Sequence, residues 1–337
     1  MTAANPLADL IAEKGILLAD GATGTNLFAS GLEAGEAPEL WNEAQPEKIT
    51  ALHQGFVDAG ADIILTNSFG GTRHRLKLHH AQDRVFELNK KAAEIARSVA
   101  DKAGRKVIVA GSVGPTGELL VPLGALTEED AVAAFTEQLE GLKAGGVDVA
   151  WIETMSAPGE IRAAAEAAVK VGLPYVYTGS FDTAGKTMMG LPPKEIHGVV
   201  DGLDARPVAV GANCGVGASD ILASLLDMSE ANPSATIVIK GNCGIPEFRG
   251  SEIFYSGTPD LMANYARLAI DGGAKIVGGC CGTSFEHLAA MRKALDSHIH
   301  GPRPTVETII ETIGPMRNKL AAHADDTPKR ERRGRRG

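Results

Sequence analysis

The chain has 337 residues, 44% of them apolar but only 4% aromatic, with 40 glycines and a formal net charge of −9. That length suits two average domains or one large α/β barrel. The acidic balance offers no electrostatic footprint for nucleic acid, no run of about 20 apolar residues could span a membrane, and residues 1–10 show no cationic segment leading into an apolar one, so a cytoplasmic protein with reduced thiols is expected.

In chain order, β-rich runs occur at 16–19, 61–66, 107–110, 147–152, 175–178, 208–210, 236–239 and 275–277, each followed by a helical pattern. Most are continuously apolar rather than alternating, as parallel strands covered on both faces require. Eight strand–helix units predict a (β/α)8 TIM-type barrel over residues 1–300. Helices at 47–59, 83–103, 127–144 and 261–271 run into Gly60, Gly104, Gly145 and Gly272, which are placed to take a left-handed cap. Thr127 followed by Glu128, Glu129 and Asp130 reads as an N-cap with acids at the positive end of the helix dipole. Residues 301–321 predict one further helix. Residues 322–337, ending in Arg332-Arg333-Gly334-Arg335-Arg336, read as a disordered, basic, solubilising tail.

Barrels of this kind build their active sites at the C-terminal strand ends, so those residues carry the functional information. They are Asp20-Gly21-Ala22-Thr23-Gly24-Thr25, Thr66-Asn67-Ser68-Phe69, Gly111-Ser112-Val113-Gly114-Pro115, Glu153-Thr154, Gly179-Ser180-Phe181-Asp182, Asn213-Cys214, Asn242-Cys243-Gly244 and Cys280-Cys281. Cys214, Cys280 and Cys281 place three soft ligands at the ends of two strands. Thiolates select zinc over magnesium or calcium, and three protein ligands leave one position open, as in a catalytic site. The competing reading is that cysteines are small buried apolar residues; a disulfide is disfavoured because adjacent cysteines bridge poorly. Cys243 would close the site as a fourth thiolate, so it is expected to be a free thiol nearby. A carboxylate buried without a partner is costly, so Glu153, ending an apolar strand, is expected to be functional; Asp20 before Gly21 also suits an ordinary turn. Lys240 is the one strand-end lysine suited to a Schiff-base aldolase, and nothing else supports that chemistry.

Together these motifs resemble the homocysteine S-methyltransferase family, over residues 8–298. The resemblance implies a zinc-containing barrel that methylates homocysteine to methionine, with Zn2+ held by Cys214, Cys280 and Cys281. A free thiol is mostly protonated at pH 7, and the open zinc position would ionise it. By the same resemblance, Asp20 and Glu153 would receive the substrate's ammonium, and amides around Gly21 and Ala22 its carboxylate. Asn213 would hydrogen-bond beside a ligand cysteine, and Thr66 and Asn67 would shape the rim. The barrel takes up nearly the whole chain, so the methyl donor is expected to be diffusible: glycine betaine or a related methyl-onium compound, bound near aromatics or carboxylates. Trp41, Phe69, Trp151, Tyr177 and Phe181 are the aromatic candidates, each equally suited to the core. The alternatives are the homocysteine-activating subunit of a divided cobalamin-dependent methionine synthase, fed by a separate corrinoid protein, and a zinc-binding regulatory or docking module. A homo-oligomer is compatible with either reading.

Overall fold

The computed structural model describes residues 5–244, 246–249 and 252–318. The expected tail at 322–337 and the last part of the expected final helix, 319–321, lie outside the described residues. Eight parallel strands form one sheet: β1 (Leu17–Leu18), β2 (Ile63–Leu65), β3 (Ile108–Val113), β4 (Val149–Met155), β5 (Tyr175–Gly179), β6 (Ala209–Cys214), β7 (Ile237–Gly241) and β8 (Ala274–Gly279). β1 pairs with β8, and a parallel bridge between Ala19 and Ile63 joins it to β2. Asp20 N–H to the Ile63 carbonyl at 3.0 Å and Asp62 N–H to the Leu18 carbonyl at 2.6 Å complete that seam. The fold is therefore the expected (β/α)8 barrel.

The continuous apolar runs are explained by burial on both faces. Leu17, Ile63, Ile108, Val149, Trp151, Val176, Val238 and Ile276 fill the barrel interior, closed below by Leu7 and Leu10 of the helix Pro6–Lys14. Their neighbours Leu18, Ile64, Val109, Ile152, Tyr175, Ile239 and Val277 face the surrounding helices. One unit departs from the expected alternation. Between β5 and β6 there is only the short 3-10 helix Pro193–Gly198.

Gly60 (φ 98°) and Gly104 (φ 68°) take the left-handed conformation expected of them. Gly145 and Gly272 do not, with φ of −83° and −75°, and Gly146 and Gly273 make the turn instead. The first glycine of each pair serves close packing: a Cβ on Gly145 would lie 2.3 Å from the Lys90 carbonyl oxygen, and one on Gly272 2.8 Å from Leu225. Gly211 in β6 is tighter still, its Cβ position lying 1.7 Å from the Val238 carbonyl oxygen. Backbone cannot yield there as a side chain can. Gly211→Ala is expected to destabilise the protein by about 1–3 kcal/mol, read as a lower urea midpoint at unchanged slope.

The last described helix, Val306–Ile313, is shorter than the expected 301–321, because Gly314 and Pro315 stop it. Ser219 donates to the Gly314 carbonyl at 2.8 Å, and the Asp220 carboxylate accepts from the Arg317 and Asn318 amides at 3.1 and 2.7 Å, which ties this segment to the helix Ala218–Ala231. Among the described residues, no helix is long and apolar enough to cross a membrane.

Candidate metal centre and substrate cleft

β6 and β8 do not stop where their apolar runs stop. β6 continues through Asn213 to Cys214, and β8 passes through Gly278-Gly279 to deliver Cys280 and Cys281. A Cβ on Gly279 would lie 2.3 Å from the Thr283 side chain, so a glycine is needed for the chain to fold back there. Asn242, at the end of β7, accepts from the Cys281 amide at 3.1 Å and donates to the Gly215 carbonyl at 2.8 Å, which locks the two cysteine-bearing turns together. Thr25 accepts from the Gly282 amide at 3.2 Å and adds the loop after β1.

The three sulfurs lie within 4.8 Å of one another, with Cys214 and Cys281 4.0 Å apart. Tetrahedral zinc–sulfur bonds of about 2.3 Å would set sulfurs roughly 3.8 Å apart, so the cluster has the span of a metal centre. The three thiols also hydrogen-bond to one another. Hydrogen bonds from Cys214 and then Cys280 hold the Cys281 thiol down at about 3. Cys214 is pushed up, first by its hydrogen bond to Cys280 and then by that to Cys281. For Cys280 the Cys214 hydrogen bond lowers the pKa, but the Cys281 hydrogen bond and burial outweigh it and push the thiol up to about 12. Cys243 stands apart from this cluster: its amide donates to the Cys281 carbonyl at 2.9 Å, and burial pushes its thiol up to about 12.

Two non-glycine residues at these strand ends, Thr154 and Cys214, have φ of 62°. For a β-branched threonine that conformation is rare, and such positions persist only where neighbours hold them. Asn213 does the holding. Its Oδ1 accepts from the Thr154 amide at 2.7 Å and the Thr178 hydroxyl at 2.6 Å, while Nδ2 donates to Thr154 Oγ1 at 2.7 Å and approaches the Cys280 sulfur at 3.8 Å.

A cleft of about 460 Å³ opens above the sulfurs, its walls including Gly21, Ala22, Thr66, Asn67, Glu153 and Lys240. Glu153 sits at a register shift between Ile152 and Met155 in the β4–β5 ladder, the kind of irregularity that re-aims a side chain. One of its oxygens accepts from the Ser112 hydroxyl at 2.5 Å. Burial pushes the carboxyl up to about 7, against the opposing effect of the Lys240 charge. Thr66 and Asn67 are occupied in building the rim: Thr66 Oγ1 bonds Ser68 Oγ at 2.6 Å and accepts from the Ser112 amide, and Asn67 donates to the Pro38 carbonyl at 2.7 Å.

Asp20, the second expected ammonium acceptor, has partners within the protein. Only 1% exposed, it has Oδ1 2.6 Å from Lys240 Nζ, while Oδ2 accepts from the Leu65 amide at 2.7 Å. The Ala22 amide is likewise used, donating to the Thr283 carbonyl at 3.1 Å. Gly21 is required by space, since a Cβ there would lie 2.6 Å from the Thr283 carbonyl oxygen. Burial works against the charge on Lys240, but the Asp20 and Glu153 carboxylates outweigh it and raise its pKa, which disqualifies it as the neutral amine of a Schiff-base enzyme.

Of the five candidate aromatics, Phe69 alone lines the cleft, in space that Gly114 leaves open: a Cβ on Gly114 would lie 2.6 Å from its ring. Trp151 belongs to the barrel interior, Tyr177 donates to the Ile196 carbonyl at 2.8 Å, and Trp41 and Phe181 are buried. The sequence reading missed Phe28, Tyr255, Glu36, Glu39, Arg75 and His79, which also line the cleft. They come from segments that connect the barrel strands, so no rule about barrel strand ends could find them.

Fold and site together define a TIM-type barrel with a candidate three-cysteine metal centre at its catalytic face. Residues 17–295 match the family model for homocysteine S-methyltransferase, and the chain belongs to that family. It is 30% identical over 306 residues to methionine synthase from Mycobacterium tuberculosis (strain ATCC 25618 / H37Rv), and 28% identical over 308 residues to that from Mycobacterium leprae (strain TN). Each match covers 86% of this chain but 25% of the relative, so the chain spans about a quarter of the length of these curated relatives. Among solved structures it is similar to the homocysteine methyltransferase MmuM from Escherichia coli in its metallated form, with a TM-score of 0.71 and 26% identity over 86% of this chain and 99% of that one.

Proposed function

We propose that this protein transfers a methyl group to the thiol of homocysteine, forming methionine, with Zn2+ held by Cys214, Cys280 and Cys281 and with glycine betaine or a related methyl-onium compound as donor. The observation that carries this reading is the set of three sulfurs within 4.8 Å of one another at a cleft that also presents Glu153. Zinc bound there supplies a Lewis acid that favours the ionised form of the substrate thiol at neutral pH. Glu153 receives the substrate's ammonium through the oxygen that Ser112 leaves open. Asn213 keeps the Thr154 turn and the cysteine cluster in register. The substrate sulfur then attacks a donor methyl in line: a C–S bond forms as the C–N bond of betaine breaks, its electron pair staying on nitrogen, and dimethylglycine leaves.

The outer wall favours an onium donor. Phe28 and Phe69 present exposed rings there, and Glu36 adds an acidic group, a combination suited to a cation. Arg75 and His79 on the same wall would complement the carboxylate of an onium acid such as betaine or dimethylsulfoniopropionate. A second reading draws on the methionine synthase relatives: the donor is a methyl-corrinoid on a separate protein. Methionine formation from homocysteine by zinc-loaded protein decides between them, with glycine betaine, dimethylsulfoniopropionate, S-methylmethionine and free methylcobalamin offered separately. Turnover is expected with an onium donor. Turnover with the corrinoid alone would establish the second reading, and failure with all four despite bound zinc would overturn both.

A further inference from the structure

A second cluster of metal-ligating side chains stands well away from the cleft. Asp271 is the last residue of the helix Pro259–Asp271, and His298 and His300 follow the helix Phe285–Asp296. Asp271 Oδ1 lies 2.9 Å from His298 Nε2 and 3.7 Å from His300 Nδ1, and the three residues offer ligand atoms within 4.8 Å of one another. The Asp271 and His298 side chains are 10% and 11% exposed, and that of His300 is 65% exposed. A hydrogen bond between an aspartate and a histidine is an ordinary way to satisfy such a pair, but it leaves three features without a reason. The carboxylate ends a helix, where the dipole already places negative charge, so the position calls for a cation. His300, with solvent open to it, faces the same oxygen instead, its ring edge-on to that of His298 with centroids 5.7 Å apart. The Gly301 amide donates to Asp271 Oδ1 at 2.9 Å and fixes the carboxylate, as outer hydrogen bonds fix metal ligands, while among the described residues nothing donates to Oδ2.

We propose that Asp271, His298 and His300 bind a divalent transition-metal ion of the zinc class, as a structural clamp on the segment that follows the last barrel helix. Two imidazoles with one carboxylate suit zinc, nickel or copper, whereas magnesium and calcium want oxygen throughout. Zinc bonds of about 2.0–2.2 Å to such ligands set neighbouring ligand atoms roughly 3.3–3.6 Å apart in a tetrahedron. The 2.9 and 3.7 Å separations bracket that span, and exposed His300 has room to adjust. The ion takes the place of the proton between neutral His298 Nε2 and Asp271; that proton passes through solvent to Nδ1, and water fills the fourth position. The site lies at the opposite end of the barrel from the sulfurs. Asp271 precedes β8 and Cys280 follows it, a separation on the order of 20 Å, and none of the three residues lines the cleft. The ion is therefore structural. Arg303 already crosses here, donating to the Gly272 carbonyl at 3.3 Å and the Leu226 carbonyl at 2.7 Å, and coordinate bonds would fasten the same crossing ahead of the helix Val306–Ile313.

The test is equilibrium dialysis of the full chain against micromolar free Zn2+, with metal content and thermal midpoint measured on the same samples. Wild-type protein is expected to hold one equivalent of zinc more than His300→Ala, and filling that equivalent should raise its thermal midpoint by a few degrees, since an ion that binds only the folded state stabilises it. His300 is exposed, so its removal does not threaten folding. His300→Ala should weaken the additional equivalent by about 10- to 100-fold and cancel the rise, leaving zinc at the cysteines in place, and Asp271→Asn should do the same. Co2+ offered as the additional equivalent should give ligand-field absorption without a sulfur charge-transfer band, which separates this site from rearrangement at the cysteines. Equal zinc content in wild type and His300→Ala, or a sulfur band from the added Co2+, would overturn the site. An additional equivalent that leaves the thermal midpoint unmoved would overturn the clamp.

Discussion

Cys214→Ala protein should lose its zinc to a competing chelator, while Cys243→Ala protein keeps a full equivalent. The sulfur geometry supplies the reason. Cys214 stands 4.0 Å from Cys281 inside the three-thiol cluster, and Cys243 lies outside it, fully buried. Binding free energies at thiolate-rich zinc sites are on the order of 10 kcal/mol, so removing one of three protein thiolates should weaken retention by roughly 10²–10³-fold. Metal content after dialysis against graded chelator measures this directly, without reference to activity. Homocysteine methylation should disappear from Cys214→Ala in parallel. Equal zinc loss from both variants would mean that Cys243 belongs to the metal centre after all.

The second large effect is expected at Glu153. Glu153→Gln should raise the KM for homocysteine by about 100-fold, because a neutral amide cannot replace a buried carboxylate facing an ammonium. The pH dependence has a definite sign. Burial raises the Glu153 pKa from 4.5 to about 7, so the receiving form is present above that pH and lost below it. Binding the substrate thiol in its ionised form releases a proton in every variant and lowers affinity with falling pH on that account alone; Glu153 should add close to a further tenfold for each pH unit below about 7, and Glu153→Gln should abolish that added steepness. Stability runs the other way. A carboxyl that holds its proton more tightly when folded favours the native state most below its ordinary pKa, and this contribution declines as pH rises through about 7. An added slope in binding and an opposite one in thermal midpoint, both missing from Glu153→Gln, would be the signature of this one group. A wild-type binding profile no steeper than that of Glu153→Gln would remove Glu153 from substrate recognition.

Much of the architecture was legible without coordinates. Continuous apolar runs recurring with helical stripes between them specify parallel strands buried on both faces, and eight of them specify the barrel. The cysteines that cluster were likewise visible as thiols at the ends of two such runs. What hydropathy could not show is how far each strand continues. β3, β4, β6 and β8 extend through Gly111-Ser112, Glu153-Thr154, Asn213-Cys214 and Gly278-Gly279, because neighbouring strands satisfy the backbone there whatever the side chains are. Residues that look like loop on composition are therefore held on rigid strand.

The sequence by itself determined the fold class, the family and the three candidate metal ligands, since each is written in short-range pattern: burial period, turn glycines and paired thiols. Only the tertiary structure decided which polar residues meet. Asp20 meets Lys240, 220 positions away, and Asn213 braces Thr154 across 59 positions. The cleft's outer wall took Phe28 and Arg75 from connecting segments while Trp151 and Tyr177 went to the core. The physical reason is common to all of these: such contacts are set by closure and register of the barrel, and a one-residue slip in register would send each side chain to the opposite face of the sheet.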